Sequence, residues 1–149
     1  MIELADKVAI VTGGSRGIGS AISSELAKNG VKVIVNYRSD ADSANRVVKE
    51  VQAAGGEAVA VQADVSHSED VNRLIEEAIS KFGKIDFLVN NAGITKDRTF
   101  RKLSRDDWDQ VINVNLNSVY NTISAALPYI LESESGRIVN ISSIIGQTG

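Results

Sequence analysis

Val8-Ala9-Ile10-Val11-Thr12-Gly13-Gly14-Ser15-Arg16-Gly17-Ile18-Gly19 passes from an apolar, β-branched run through glycines into a helical pattern. A strand, a glycine turn and a helix N-terminus in that order aim backbone N–H groups at an anion, above all a pyrophosphate. The stretch therefore predicts a dinucleotide ligand. Gly13 suits the tight turn, Gly17 the close approach of phosphate, and Gly19 the packing of helix on strand. The spacing, Thr12-Gly13-x-x-x-Gly17-x-Gly19, departs from the ordinary Gly-x-Gly-x-x-Gly. Contacts to the cofactor are expected from Thr12, Gly13, Ser15, Arg16, Gly17, Ile18 and Gly19. Without the flanking strand and helix the same glycines would read as a turn.

Working outward, strand-like and helical runs alternate to the end of the chain, the pattern of βαβ units in a parallel sheet. Strands are expected at Lys7 to Val11, Val31 to Tyr37, Ala58 to Ala63, Ile85 to Val89 and Arg137 to Ile141. A first helix over Gly17 to Asn29 stops at Gly30, and a second over Asp40 to Ala54 stops at Gly55-Gly56. Ser66-x-x-Glu69 reads as a capping box for a third helix, carrying Val71, Leu74, Ile75, Ala78, Ile79 and Phe82. Ser104 and Asp107 make a second box, opening one long helix with Trp108, Val111, Ile112, Leu116, Val119 and Ile123 on a stripe. Pro128 is expected to bend this helix or end it early. The expected fold is a doubly wound parallel α/β sheet, a Rossmann fold with five strands and four helices, forming one dinucleotide-binding domain over residues 1–149. Its ligand crevice belongs at the carboxyl ends of the strands.

The end of the second strand bears on cofactor choice. An acidic residue there bonds a ribose 2′-hydroxyl and repels a 2′-phosphate, whereas Arg pairs with the phosphate. Here the chain reads Asn36-Tyr37-Arg38-Ser39, with no carboxylate until Asp40. Arg38 together with Arg16 points to NADP(H), although either also reads as an ordinary solvated arginine. Asp64-Val65 ends the third strand, where a carboxylate can accept from an adenine amino group while Val65 covers the ring. Asp64 equally suits a helix entry. Asn90-Asn91-Ala92-Gly93 ends the fourth strand with amides and small residues that let chain and cofactor come close, or form a plain turn.

Composition excludes other classes. Hydrophobic residues are 43% and charged residues 23% of 149, the proportions of a globular chain rather than a disordered or fibrous one. A net charge of −3 gives no reason to expect nucleic acid. The absence of cysteine rules out disulfides and thiolate metal sites, and no cluster has metal-ligand spacing. No stretch approaches a membrane span or a signal h-region, so the cytoplasm is the expected compartment.

Thr12-Gly13-x-x-x-Gly17-x-Gly19, Asp64-Val65, Asn90-Asn91-Ala92-Gly93, Asn115 and Ser142-Ser143, in this order, resemble the short-chain dehydrogenase/reductase family in its classical form. Asn91-Ala92-Gly93-Ile94-Thr95-Lys96-Asp97 and Gly136-Arg137-Ile138-Val139-Asn140-Ile141-Ser142-Ser143 are similar to its 3-oxoacyl carrier-protein reductase and acetoacetyl-CoA reductase branch. The resemblance implies reduction of a 3-oxoacyl thioester by NADPH to the 3-hydroxyacyl thioester, in fatty-acid or hydroxyalkanoate metabolism. It implies Ser143, with Ser142 as the competing choice, as the group bonding the substrate carbonyl. Asn115 would hold a water in the proton-relay path, and Asn90 and Gly93 would line the cofactor. A homo-oligomer is also implied, a tetramer in the family.

The family's proton donor belongs to a Tyr-x-x-x-Lys motif, in which Lys lowers the Tyr pKa. None of Tyr37, Tyr120 and Tyr129 has Lys at that spacing, so the chain reads as the N-terminal part of such an enzyme. Two other readings stay open: a non-catalytic NADP(H)-binding half-domain or assembly module, and a short-chain dehydrogenase of another substrate class. Lys96, Arg98, Arg101 and Lys102 would greet an acidic carrier protein or CoA phosphates, or form a solvated face. Trp108 reads as core or subunit interface, and His67 as a helix-entry or surface residue.

Overall fold

The computed structural model describes residues 3–144 and places the Val8–Val11 strand, β1, in the middle of a parallel sheet. All of β1 is buried, as an unbroken apolar run demands when helices cover both faces. There follow α1 (Gly17–Lys28), β2 (Lys32–Tyr37), α2 (Ala41–Ala53), β3 (Ala58–Gln62), α3 (Ser68–Phe82) and β4 (Phe87–Asn90). A 3₁₀ turn (Phe100–Lys102) leads to α4 (Arg105–Ile112), a π-helical turn (Asn113–Asn117), α5 (Ser118–Glu132) and β5 (Arg137–Asn140). The strands are ordered β3-β2-β1-β4-β5, every neighbouring pair parallel. The order reverses between β1 and β4. That is where a doubly wound sheet opens its crevice.

Alternation along the strands divides the core in two. Ala9, Val11, Val33, Val35, Phe87 and Val89 face Ala27 of α1 and Ala44, Val47 and Val51 of α2. Ile10, Ile34 and Leu88 face Val71, Leu74, Ile75 and Ala78 of α3 and Ala126 and Ile130 of α5. Fully burying each of the Val, Leu, Ile and Phe side chains is worth roughly 1.5–3 kcal/mol, so the two layers hold the strand ends in place. Gly30 and Gly55, at φ +82° and +85°, end α1 and α2 as expected.

Three local expectations are corrected. Ser66 and Glu69 form no capping box: α3 begins at Ser68 after His67, without a side-chain cap. Ser66 instead donates its hydroxyl to Asp64 Oδ1 at 2.6 Å, while Asp70 Oδ2 accepts from the Asp64 amide at 2.9 Å. The expected long helix is two helices joined by the π-helical turn, giving five α-helices among the described residues where four were expected. Pro128 lies inside α5, which continues to Glu132 and so does not end early at the proline. Burial of Ser118, Thr122, Ala126 and Ile130 on one face holds that helix, because tertiary packing outweighs the loss of one backbone bond. The second capping box does form in part, with Ser104 Oγ accepting from the Asp107 amide at 3.0 Å.

Candidate dinucleotide site

The loop after β1 is stitched to its neighbours by side chains at the carboxyl ends of β2 and β4. Thr12 Oγ1 donates to the Val89 carbonyl at 3.3 Å and accepts from the amides of Asn91 and Ala92, each at 3.0 Å. Asn91 Nδ2 answers by donating to the carbonyls of Thr12 and Gly13, at 3.0 and 3.2 Å. From β2, Asn36 Oδ1 accepts the Gly13 amide at 3.2 Å, and its Nδ2 donates to the Ala63 carbonyl at 3.0 Å. Asn36 is 2% exposed, a buried amide tying three strand ends together. The glycine loop is thus positioned by hydrogen bonds within the protein itself.

Gly19 shows why a side chain is excluded there. A Cβ on it would stand 2.2 Å from the Gly13 carbonyl oxygen and 2.5 Å from Asn91 Nδ2. Gly17 has φ +51° and nothing within 4 Å of a Cβ position, so its backbone is open on the side away from the protein. Helix α1 starts at Gly17 with neither a side-chain cap nor an acidic residue in its first turn. Its leading N–H groups retain their attraction for an anion.

These elements enclose a cleft of about 390 Å³, running past the ends of β1, β2, β3 and β4. Of the expected cofactor contacts, Gly13, Ser15, Arg16, Ile18, Gly19, Arg38, Asp64, Val65, Asn91, Ala92 and Gly93 line it. Thr12, Gly17 and Asn90 do not. Thr12 is 1% exposed and spends its hydroxyl on backbone, while Asn90 bonds Asn140 Oδ1 and the Thr122 hydroxyl. Both shape the site from beneath. The walls also include Asn36, Tyr37, Ser39, Asp40, Ile94 and Val114, which motif reading did not assign. Asn36 is the lone amide of β2, a signal that by itself assigns no role.

Charge beside the carboxyl end of β2 is mixed. Arg16 and Arg38 line the cleft, and Asp40 lies 3.9 Å from the Arg16 guanidinium. The Ser43 amide and hydroxyl above all, with lesser help from Arg16 and Arg46, hold the Asp40 carboxyl below its usual value against the opposing effect of desolvation. Asp64 serves as helix entry and cleft wall at once: its Oδ1 accepts from the Ser66 amide and hydroxyl. His67 occupies the position before α3 on the surface, as expected.

Asn115, distant in sequence from the strand ends, is brought against the loop after β4. Its Oδ1 accepts the Ile94 amide at 2.8 Å and its Nδ2 donates to the Ile94 carbonyl at 2.9 Å. Ser143 lies three residues beyond Asn140, which pairs with Asn90, and therefore at the same end of the sheet as the cleft. It does not line the cleft. Lys96 and Arg98 both pair with Asp107, at 3.5 and 3.0 Å, which removes half of the expected basic cluster from free display. No residue of α4 is buried and Trp108 is 50% exposed, so Trp108 is not core.

The sequence profile described as short chain dehydrogenase matches residues 7–149. The chain belongs to the short-chain dehydrogenase family. Within that family it is 46% identical to "3-oxoacyl-(acyl-carrier-protein) reductase FabG" of Staphylococcus epidermidis, over 97% of this chain and 59% of the relative. It is also 46% identical to the 3-oxoacyl-(acyl-carrier-protein) reductase of a Synechocystis species, over 100% of this chain and 60% of the relative. A solved short chain dehydrogenase from Burkholderia cenocepacia, in complex with NADP, superposes with TM-score 0.92 at 39% identity, over 98% of this chain and 59% of that one. A dehydrogenase/reductase from Sinorhizobium meliloti gives TM-score 0.93 at 37% identity, over 97% and 57%. This short-chain dehydrogenase sequence thus spans about three-fifths of the length of the curated relatives it matches. Among the described residues, no helix is long and apolar enough to cross a membrane, and no group of His, Cys, Asp and Glu could hold a metal ion.

Proposed function

We propose that this chain forms the NADP(H)-binding part of a reductase that converts a 3-oxoacyl thioester, on carrier protein or CoA, to the 3-hydroxyacyl thioester. The observation that carries the reading is the cleft, where the uncapped start of α1 meets Arg16 and Arg38 at the ends of β1 and β2. A dinucleotide fits these residues: free helix amides for the pyrophosphate, arginines for a 2′-phosphate, and Asp64 with Val65 for an adenine. Such a cofactor, when bound, supplies a hydride. Similarity to 3-oxoacyl-(acyl-carrier-protein) reductases over nearly the whole chain supports the substrate class, and the NADP complex of a structural neighbour supports the cofactor.

In this reading the Ser143 hydroxyl donates to the 3-oxo oxygen, where charge develops during reduction. Asn115 uses one donor and one acceptor position of its amide on Ile94. Each amide atom keeps one further position, and there the relay water is held. The working unit is a cytoplasmic homo-oligomer, and the proton donor is a Tyr-x-x-x-Lys pair absent from these 149 residues.

The test combines NADPH fluorescence titration of this chain with NADPH consumption on acetoacetyl-CoA and a 3-oxoacyl carrier protein by the protein at its relatives' length. Binding in the first and turnover in the second are expected, with Ser143→Ala lowering kcat by about 100-fold or more. No binding overturns the cofactor assignment, and turnover only on unrelated ketones or sugars overturns the substrate class. One observation favours a second reading: among the described residues β5 is an edge of the sheet, with Val139 and Ile141 partly exposed, a surface that invites pairing. Tight NADPH binding with no turnover on any thioester would identify a non-catalytic, sheet-completing module instead.

A further inference from the structure

Of the charged groups at the adenosine end of the cleft, Asp40 alone has no role in the reading above. Its place is well defined. Oδ1 accepts from the Ser43 amide at 3.0 Å and Oδ2 from the Ser43 hydroxyl at 2.7 Å, so the carboxylate is held as the N-cap of α2. The same Oδ2 lies 3.9 Å from Arg16 Nη1, with both residues in the cleft wall. Arg46, one turn into α2, reaches Ser43 Oγ at 3.4 Å and is the other cation near Asp40. Arg38, by contrast, takes part in none of the ion pairs among the described residues. Its carbonyl accepts from Gln62 Nε2 at 2.9 Å.

Two arginines of unequal availability result. Arg38 can turn its whole charge on a ligand, whereas Arg16 already faces an anion fixed by two hydrogen bonds. A phosphate arriving beside Arg16 must share that guanidinium with Asp40. An uncharged ribose hydroxyl gains and loses little at Arg16. Resting on the NADP(H) reading, we infer that Asp40 is a specificity-setting residue: its carboxylate competes with the cofactor 2′-phosphate for Arg16 and thereby lowers the preference for NADPH over NADH.

Asp40→Asn isolates the charge, because Asn caps a helix as well as Asp does and keeps an oxygen for the Ser43 amide. The experiment measures Kd for NADPH and for NADH by fluorescence titration, in the wild type, Asp40→Asn, Arg16→Gln and the double variant. Thermal unfolding of each checks that α2 is intact. In Asp40→Asn the NADPH/NADH affinity ratio rises roughly two- to fivefold at low salt, the scale of one exposed ion pair, and the gain shrinks at high salt. In the Arg16→Gln background the same substitution leaves the ratio unchanged. A ratio that stays level or moves toward NADH in Asp40→Asn overturns the inference. An equal rise in both backgrounds also overturns it, since Asp40 would then act directly rather than through Arg16. Failure of the wild type to bind either dinucleotide overturns the cleft assignment as well, so the two failures are told apart.

Discussion

At Gly19 a single hydrogen atom decides whether the glycine loop closes. The Gly13 carbonyl, 2.2 Å from a Cβ built there, is held by Asn91 Nδ2, which itself stands 2.5 Å from that Cβ. Neither group can retreat without breaking the bond between the first and fourth strand ends. Gly19→Ala is therefore expected to cost roughly 1–3 kcal/mol by overpacking and to abolish dinucleotide binding, read by urea unfolding and NADPH titration. An unchanged urea midpoint with intact binding would show that the loop is looser than described. Gly19 was legible because a glycine between strand and helix signals close packing. Asn36 was not, although it ties the same loop from the β2 side. A polar residue in an apolar strand has no fixed meaning until its partners are known, and those of Asn36 lie in segments remote from it in sequence.

The stretch from Ser104 to Glu132 shows the same boundary at the scale of an element. Its apolar positions repeat at helical spacing, and that repeat predicts one helix. The π-helical turn at Asn113–Asn117 interrupts it and presents Asn115 to Ile94. Local periodicity does not register one wider turn, because the apolar stripe continues on either side of it. Asn115→Ala should release the loop after β4: the Ile94 amide is expected to exchange hydrogen faster, with a stability loss of about 1 kcal/mol. The loss is modest because Asn115 is exposed and water replaces part of what is removed. Exchange mass spectrometry over residues 93–99 checks it, and unchanged protection would place the anchor of that loop elsewhere, in Asp107 with Lys96 and Arg98.

Across the whole molecule the two ends of the sheet do different work. The carboxyl end carries the cleft, while at the amino end Asp86, 2% exposed, joins β1, β4 and the chain after α5. It accepts from the Val8 amide at 2.9 Å and from the Ser133 hydroxyl, with Lys84 at 3.2 Å and Lys7 at 3.9 Å. Burial pushes its carboxyl up, but Ser133, Val8 and Lys84 together outweigh burial and hold it below the usual value. A depressed folded pKa contributes stability above the unfolded value, near 4, that is lost as pH falls through the folded one. Asp86→Asn should cost roughly 1–3 kcal/mol at pH 7, and its deficit should narrow as pH drops below about 4. Urea unfolding at several pH values measures this, and a deficit independent of pH would show that the charge of Asp86 does not matter.

The sequence by itself determined the strand and helix alternation, the glycine loop, the glycine-stopped helix ends, and the family, because these rest on local sterics and on the period of apolar residues. Only the tertiary structure decided that Thr12 and Asn90 support the cleft rather than line it. The same holds for Arg16 sharing Asp40, and for Asn115 reaching a loop 21 residues away. The reason is physical: a polar side chain takes its role from the partner that satisfies it. In a parallel sheet those partners come from crossovers that no local pattern encodes.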